Sequence, residues 1–230
     1  MAKRQTDLHL RYAIYFTPPA DHPFTILGAE WLGRNAFTDE RLVAPAGFAD
    51  WISKPARYGF HATLKAPFKL SDQYGEADLR RQFMNFCAAR PVFSASPLVV
   101  RYGKDGFTLE LESGSSHLDD LAKAAVTKFD EFRAALTDED IARRSPERLN
   151  ERQIAYLHEW GYPHVLDEFN FHMTLTGPVP TECRADVQDM IEGHFAGVIA
   201  KPLEVSGLGL FKEPSKGANF TVLDWQAFKA

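Results

Sequence analysis

The sequence predicts an α+β fold of two pseudo-symmetric lobes, each an antiparallel sheet flanked by helices, facing one another across a central cleft. Three observations predict it. Short runs rich in aromatic and branched residues alternate with amphipathic stretches at helical spacing. The word Phe60-His61-Ala62-Thr63-Leu64-Lys65-Ala66-Pro67 recurs as Phe171-His172-Met173-Thr174-Leu175-Thr176-Gly177-Pro178, agreeing at Phe, His, Thr, Leu and Pro. The elements that follow each copy come in a similar order, and two copies make a pair of lobes rather than a solenoid. A single bilobal domain over residues 1–230 is therefore expected, with motif-bearing halves at about 10–112 and 165–225 and a helical connection over 115–162.

Residues 10–16, aromatic and branched, read as a buried first strand stopped by Pro18-Pro19. Ile26, Leu27, Trp31 and Leu32 give residues 24–37 a helical period. The period fades over 38–54, so Pro45 and Pro55 bound a connecting segment, and Gly59 loosens the chain before the first motif strand. Leu79, Phe83, Phe86 and Cys87 mark a helix over 76–90, ended by Pro91. Residues 98–101 and 107–111 form a hairpin turned at Gly103-Lys104-Asp105-Gly106. Helices are expected over 116–136 and 149–160, the second stopped by Gly161-Tyr162-Pro163. After the second motif come a helix over 184–195, a strand from 203, a turn at 214–217 and a strand over 220–223. Pro97-Leu98-Val99-Val100 matches Pro202-Leu203-Glu204-Val205, and Phe107-Thr108-Leu109 matches Phe220-Thr221-Val222.

The 230 residues are 45% hydrophobic and 25% charged, enough for a sizeable core. A net charge of -5 argues against a surface that tracks long nucleic acid, whereas a small anionic substrate or a short RNA end met by a few cations stays open. Cys87 and Cys183, in no C-x-x-C pair, give neither a disulfide framework nor a thiolate zinc motif. Residues 1–7 are basic but lead into no signal-peptide core, and no window approaches the roughly 18 apolar residues of a membrane helix, so a cytoplasmic protein is expected.

In a strand, residues i and i+2 share a face, so each motif sets a histidine beside a threonine hydroxyl. Two such pairs across one cleft supply what phosphodiester hydrolysis needs: a base for the attacking water, an acid for the leaving oxygen, and donors for the phosphoryl oxygens. Histidine suits both proton transfers because it titrates near neutrality. His61, Thr63, His172 and Thr174 are thus the candidate catalytic groups, with no metal and no cofactor. Extending each strand face adds Lys65 and Thr176, and Arg57 sits four residues before His61. Lys65 and Arg57 are candidate phosphate cations, Thr176 a further donor, and Tyr12 or Tyr15 a stacking platform. Each has a plain alternative: Lys65 as a snorkelling edge residue, Arg57 as an ion-pair partner, Thr176 as a strand former and the tyrosines as core. His9, His22, His117, His158, His164 and His194 have no partner at metal-ligand spacing, which disfavours a zinc hydrolase.

Paired H-x-T motifs about a hundred residues apart resemble the 2H phosphoesterase superfamily, which includes 2′,3′-cyclic phosphodiesterases of the 2′-5′ RNA ligase type. The strings Arg57 to Phe68, Trp160 to Pro163 and Asp167 to Gly177 are similar to a bacterial branch encoded near phosphonate-utilisation genes, over most of the chain. The resemblance implies a bilobal α+β fold, metal-independent phosphodiester chemistry, and His61, Thr63, His172 and Thr174 as active groups. It leaves open which histidine is acid; the assignment adopted is His61 as acid and His172 as base. Three functions follow: a hydrolase of a small cyclic or linear phosphodiester, an RNA-end cyclic phosphodiesterase or 2′-5′ ligase, and a binding protein that holds nucleotides or sugar phosphates without turnover.

Overall fold

The computed structural model describes residues 9–229, so the basic run over residues 1–7 lies outside the described residues. The chain begins with β1 (Arg11–Phe16), α1 (Pro23–Leu32), α2 (Ala49–Tyr58), β2 (Ala62–Phe68) and α3 (Glu76–Ala88). It continues through β3 (Phe93–Ala95), β4 (Leu98–Gly103), β5 (Gly106–Leu111), α4 (Ser116–Lys128), α5 (Asp138–Ala142) and α6 (Glu151–Trp160). The last elements are β6 (His172–Thr174), α7 (Arg184–Ile199), β7 (Leu203–Val205), β8 (Gly207–Glu213) and β9 (Thr221–Ala227). The result is an α+β protein built on one seven-stranded sheet in the order β4-β5-β6-β2-β1-β8-β9, with β3 and β7 forming a separate ribbon. Every pairing within these strands is antiparallel.

The two sequence halves interleave instead of forming a sheet each. The β4-β5 hairpin of the first half pairs with β6 of the second, and β8 of the second half pairs with β1 of the first. The short words also part company, because β4 joins the main sheet whereas β7 pairs with β3. The two motif strands meet at one seam, where β2 and β6 pair through Ala62 opposite Met173, both fully buried.

Local chemistry explains most element ends. His22 accepts from Phe24 N–H to start α1, and Gly33, at φ 65°, stops that helix at Leu32, short of the expected 37. Asn150 and Gln153 cap α6 reciprocally, and Gly161 at φ 78° ends it. The expected helix over 116–136 ends at Lys128 and gives way to a tighter turn over Asp130–Phe132. Helix α2 falls in the segment expected to be irregular, with Pro55 inside it. A proline lacks the N–H that would bond the carbonyl four residues back. That carbonyl, of Trp51, accepts from Gly177 N–H at 2.5 Å, which ties α2 to the end of the second motif.

Strand β1 divides the interior. Tyr12, Ile14 and Phe16 point into the main core, while Ala13 and Tyr15 pack with Ala36, Phe211 and Phe220 on the opposite face. Helix α4 packs on β2 from the core side, which leaves the other face of the central strands to line a cleft.

Candidate active site

The cleft has a volume of about 710 Å³, and His61, Thr63, His172 and Thr174 all line it. The seam register explains their convergence. Carrying the Ala62–Met173 pairing one residue either way sets His61 across from Thr174 and Thr63 across from His172. The four side chains then occupy the corners of a square on one sheet face, with the histidines on a diagonal of roughly 7–8 Å.

Each histidine is held the same way. His61 Nδ1 lies 2.8 Å from Gly59 O, and His172 Nδ1 lies 2.9 Å from Asn170 O. A carbonyl only accepts, so each Nδ1 carries the proton and each Nε2 is left to face the cleft. Thr63 Oγ1 lies 3.3 Å from His61 Nε2 and can donate to it. The environments differ, since His61 is half-buried and His172 is exposed. Tyr15 stacks on the His61 ring with centroids 3.9 Å apart, and the Tyr58 ring lies 6.2 Å away. Burial pushes the His61 pKa down to about 4; the Gly59 carbonyl opposes this, and the nearby His172 adds to it. His61 is therefore neutral at neutral pH.

The other candidates take different places. Lys65 does not reach the cleft. Ile14 pairs with Lys65 but Tyr15 pairs with Thr63, so Leu64 is an extra residue that breaks the alternation of β2. Lys65 thereby turns to the core side, where its ammonium bonds Val126 O at 3.1 Å and Asp130 at 3.2 Å. Desolvation lowers its pKa to about 8 against the pull of Asp130. Thr176 is fully buried, and its hydroxyl accepts from Phe107 N–H at 2.9 Å, which makes it an anchor for β5. Tyr15 is 1% exposed, with a ring face given to His61 in place of a ligand. Tyr12 points into the core and donates to Glu76 at 2.7 Å. Arg57 does line the cleft, yet its guanidinium is tied to Glu213 and to Ala218 O.

Sequence reasoning missed the charge of the walls. Arg11, Lys54, Arg57, Arg143, Arg144 and Lys216 line the cleft, with Asp105 the one acidic residue of its lining among the described residues. Arg11 was legible in principle, since it shares the β1 face of Tyr15 four residues on; Arg143 and Arg144 lie in a stretch without periodicity that gave no signal. Among the described residues no three His, Cys, Asp or Glu side chains gather closely enough to hold a metal ion. No helix among them is long and apolar enough to cross a membrane.

A family model described as "Protein of unknown function (DUF1045)" matches residues 63–221. Two relatives named "Ribose 1,5-bisphosphate phosphokinase PhnN" are similar to the chain. One, from Janthinobacterium sp. (strain Marseille), is 37% identical over 94% of this chain and 50% of its own length. The other, from Laribacter hongkongensis (strain HLHK9), is 33% identical over 92% of this chain and 50% of its own length. The chain thus spans about half the length of these curated relatives.

Proposed function

We propose that this chain, which belongs to the DUF1045 family, is a metal-independent phosphodiesterase that opens a small cyclic phosphodiester. The observation that carries the proposal is the square of two histidines and two threonines on one sheet face, with each Nδ1 turned to a backbone carbonyl and each Nε2 on the cleft side. In this reading a water attacks phosphorus while His61 Nε2 takes its proton. The bond from phosphorus to the ester oxygen breaks, and His172, doubly protonated at the start of the step, delivers its Nε2 proton to that oxygen, leaving a phosphomonoester and an alcohol. Thr63 and Thr174 donate to the non-bridging oxygens from the strands. This order reverses the one adopted from sequence, because burial keeps His61 neutral and so suits it to accept the first proton.

The relatives' name adds a substrate class. It speaks of ribose 1,5-bisphosphate, and a cyclic phosphodiester on ribose opens to a ribose phosphomonoester, so we favour a cyclic ribose phosphate. Kinase activity is not carried over: these 230 residues contain no G-x-x-x-x-G-K-[ST] run of the kind that cradles nucleotide phosphates. Kinship with the 2H superfamily, its bilobal layout, a link to phosphonate metabolism and a cytoplasmic location remain parts of the proposal, supported by the motif resemblance.

The test is turnover in EDTA of cyclic nucleotides, cyclic ribose phosphates and short RNAs ending in a 2′,3′-cyclic phosphate. His61→Ala and His172→Ala should each lower kcat by about 10²-fold or more, the usual worth of one proton transfer. Activity lost in EDTA contradicts the metal-free mechanism, and binding without turnover points to a sensor.

A further inference from the structure

The cleft is cationic far beyond what one phosphodiester needs, and the excess gathers at one end. On β1, Tyr15 packs on His61, and Arg11 lies two same-face steps away, roughly 13 Å along the strand. Around Arg11 the same cleft is walled by Arg143, Arg144, Tyr162 and Lys216. Arg11 sits opposite Glu213 in the strand pairing and bonds it at 2.5 Å, but Glu213 is shared with Arg57, so one carboxylate faces two guanidiniums. Arg143 pairs with Asp140 at 2.6 Å, and Asp140 is shared in turn with Lys69 at 3.5 Å. Arg144 forms no ion pair with a carboxylate among the described residues; its guanidinium lies over the Tyr162 ring, 4.7 Å from the centroid. A smaller recess opening off this end shares Arg11, Arg143, Arg144 and Tyr162, and is also lined by Trp160. The Trp160 indole N–H is buried and finds no hydrogen-bond partner among the described residues.

Positive charge gathered on the walls of a cleft raises the local concentration of a small anion there. In a chain of net charge -5 such charge does not reflect bulk composition. We infer that Arg11, Arg143 and Arg144 form a second phosphate subsite, so that the substrate carries a phosphomonoester in addition to the diester held at the histidine pair. The inference rests on the proposed phosphodiesterase reading for what occupies the other end. Once the reach of the side chains is subtracted, the separation along β1 leaves room for about one sugar unit between the two anions. A phosphorylated pentose bearing a cyclic phosphodiester fits this spacing, and an arginine provides the planar, bidentate donor that a phosphate prefers.

Two measurements decide it. The first compares adenosine 2′,3′-cyclic phosphate with the same compound bearing a 5′-phosphate. The 5′-phosphate should raise kcat/KM on the order of 10- to 100-fold, mainly through KM, and Arg144→Ala should erase at least a tenfold share of that ratio, with Arg144→Lys intermediate. The second is calorimetric titration with ribose 5-phosphate, which needs no turnover. Its Kd should weaken at least tenfold in Arg144→Ala, checked for unchanged circular dichroism and melting, and less than threefold in His61→Ala. A ratio near one in the wild-type enzyme, or ribose 5-phosphate binding that survives Arg144→Ala, overturns the subsite. If neither cyclic compound is hydrolysed the histidine reading fails, and the titration alone decides the subsite.

Discussion

The His61 ring lies against Tyr15, and its burial lowers its pKa from 6.5 to about 4. Between those values the unfolded chain binds a proton at this ring that the folded chain does not. Stability is therefore fully present above pH 6.5 and declines as pH falls toward 4, by up to about 3 kcal/mol from this group. Urea unfolding at pH 7 and pH 4.5 should reveal a loss in the wild type that is smaller in His61→Gln. If His61 is the base, the acid limb of kcat/KM should also lie below pH 6, under the range of a free imidazole. The convergence of His61, Thr63, His172 and Thr174 on one cleft was legible because period-two alternation holds over three residues in each motif. Lys65 was misplaced because the extra residue at Leu64 has no signature in the sequence. Lys65→Met removes a buried ammonium and leaves Asp130 bonded to Arg133 at 2.8 Å. It should keep activity within about twofold and change stability by no more than about 1–2 kcal/mol; a collapse of turnover would return Lys65 to the cleft.

At the scale of elements, the second motif is short, and its neighbours position it. Strand β6 has three residues, and the chain just beyond it is pinned by the Trp51 carbonyl that Pro55 leaves free. Sequence reading took Pro55 as a boundary, since a helix-breaking residue gives no hint that a distant N–H will use the carbonyl it releases. On the other side Gly106 has φ 126°, and a Cβ there would stand 2.3 Å from the carbonyl oxygens of both Thr176 and Gly177. The Gly103 to Gly106 turn was readable as a hairpin; its close approach to the second motif was not. Gly106→Ala should destabilise the protein on the order of 2–3 kcal/mol through backbone strain and displacement of the 176–177 segment. Thermal melting should register a fall of roughly 5–10 °C. A melting temperature within 1–2 °C of wild type would mean that the two chains do not press together there.

Across the whole molecule, an acidic chain concentrates cations on the walls of one cleft. For a small anionic substrate, raising ionic strength from about 0.05 to 0.5 M should increase KM several-fold and leave kcat within about twofold; a KM indifferent to salt would remove the electrostatic reading. The doubled motif foretold two halves meeting at the histidines. It did not foretell the exchanged strand pairings, because β1–β8 and β5–β6 join residues far apart in sequence whose alternation reads alike in either arrangement. The central claim is that two imidazoles on a four-cornered sheet face serve one phosphorus. A crystal structure with inorganic vanadate, which mimics the five-coordinate phosphorus of the transition state, tests it most directly. The account predicts a single vanadium with oxygens about 2.6–3.2 Å from both His61 Nε2 and His172 Nε2. Vanadate held by only one of the two rings, or bound away from both, would contradict it.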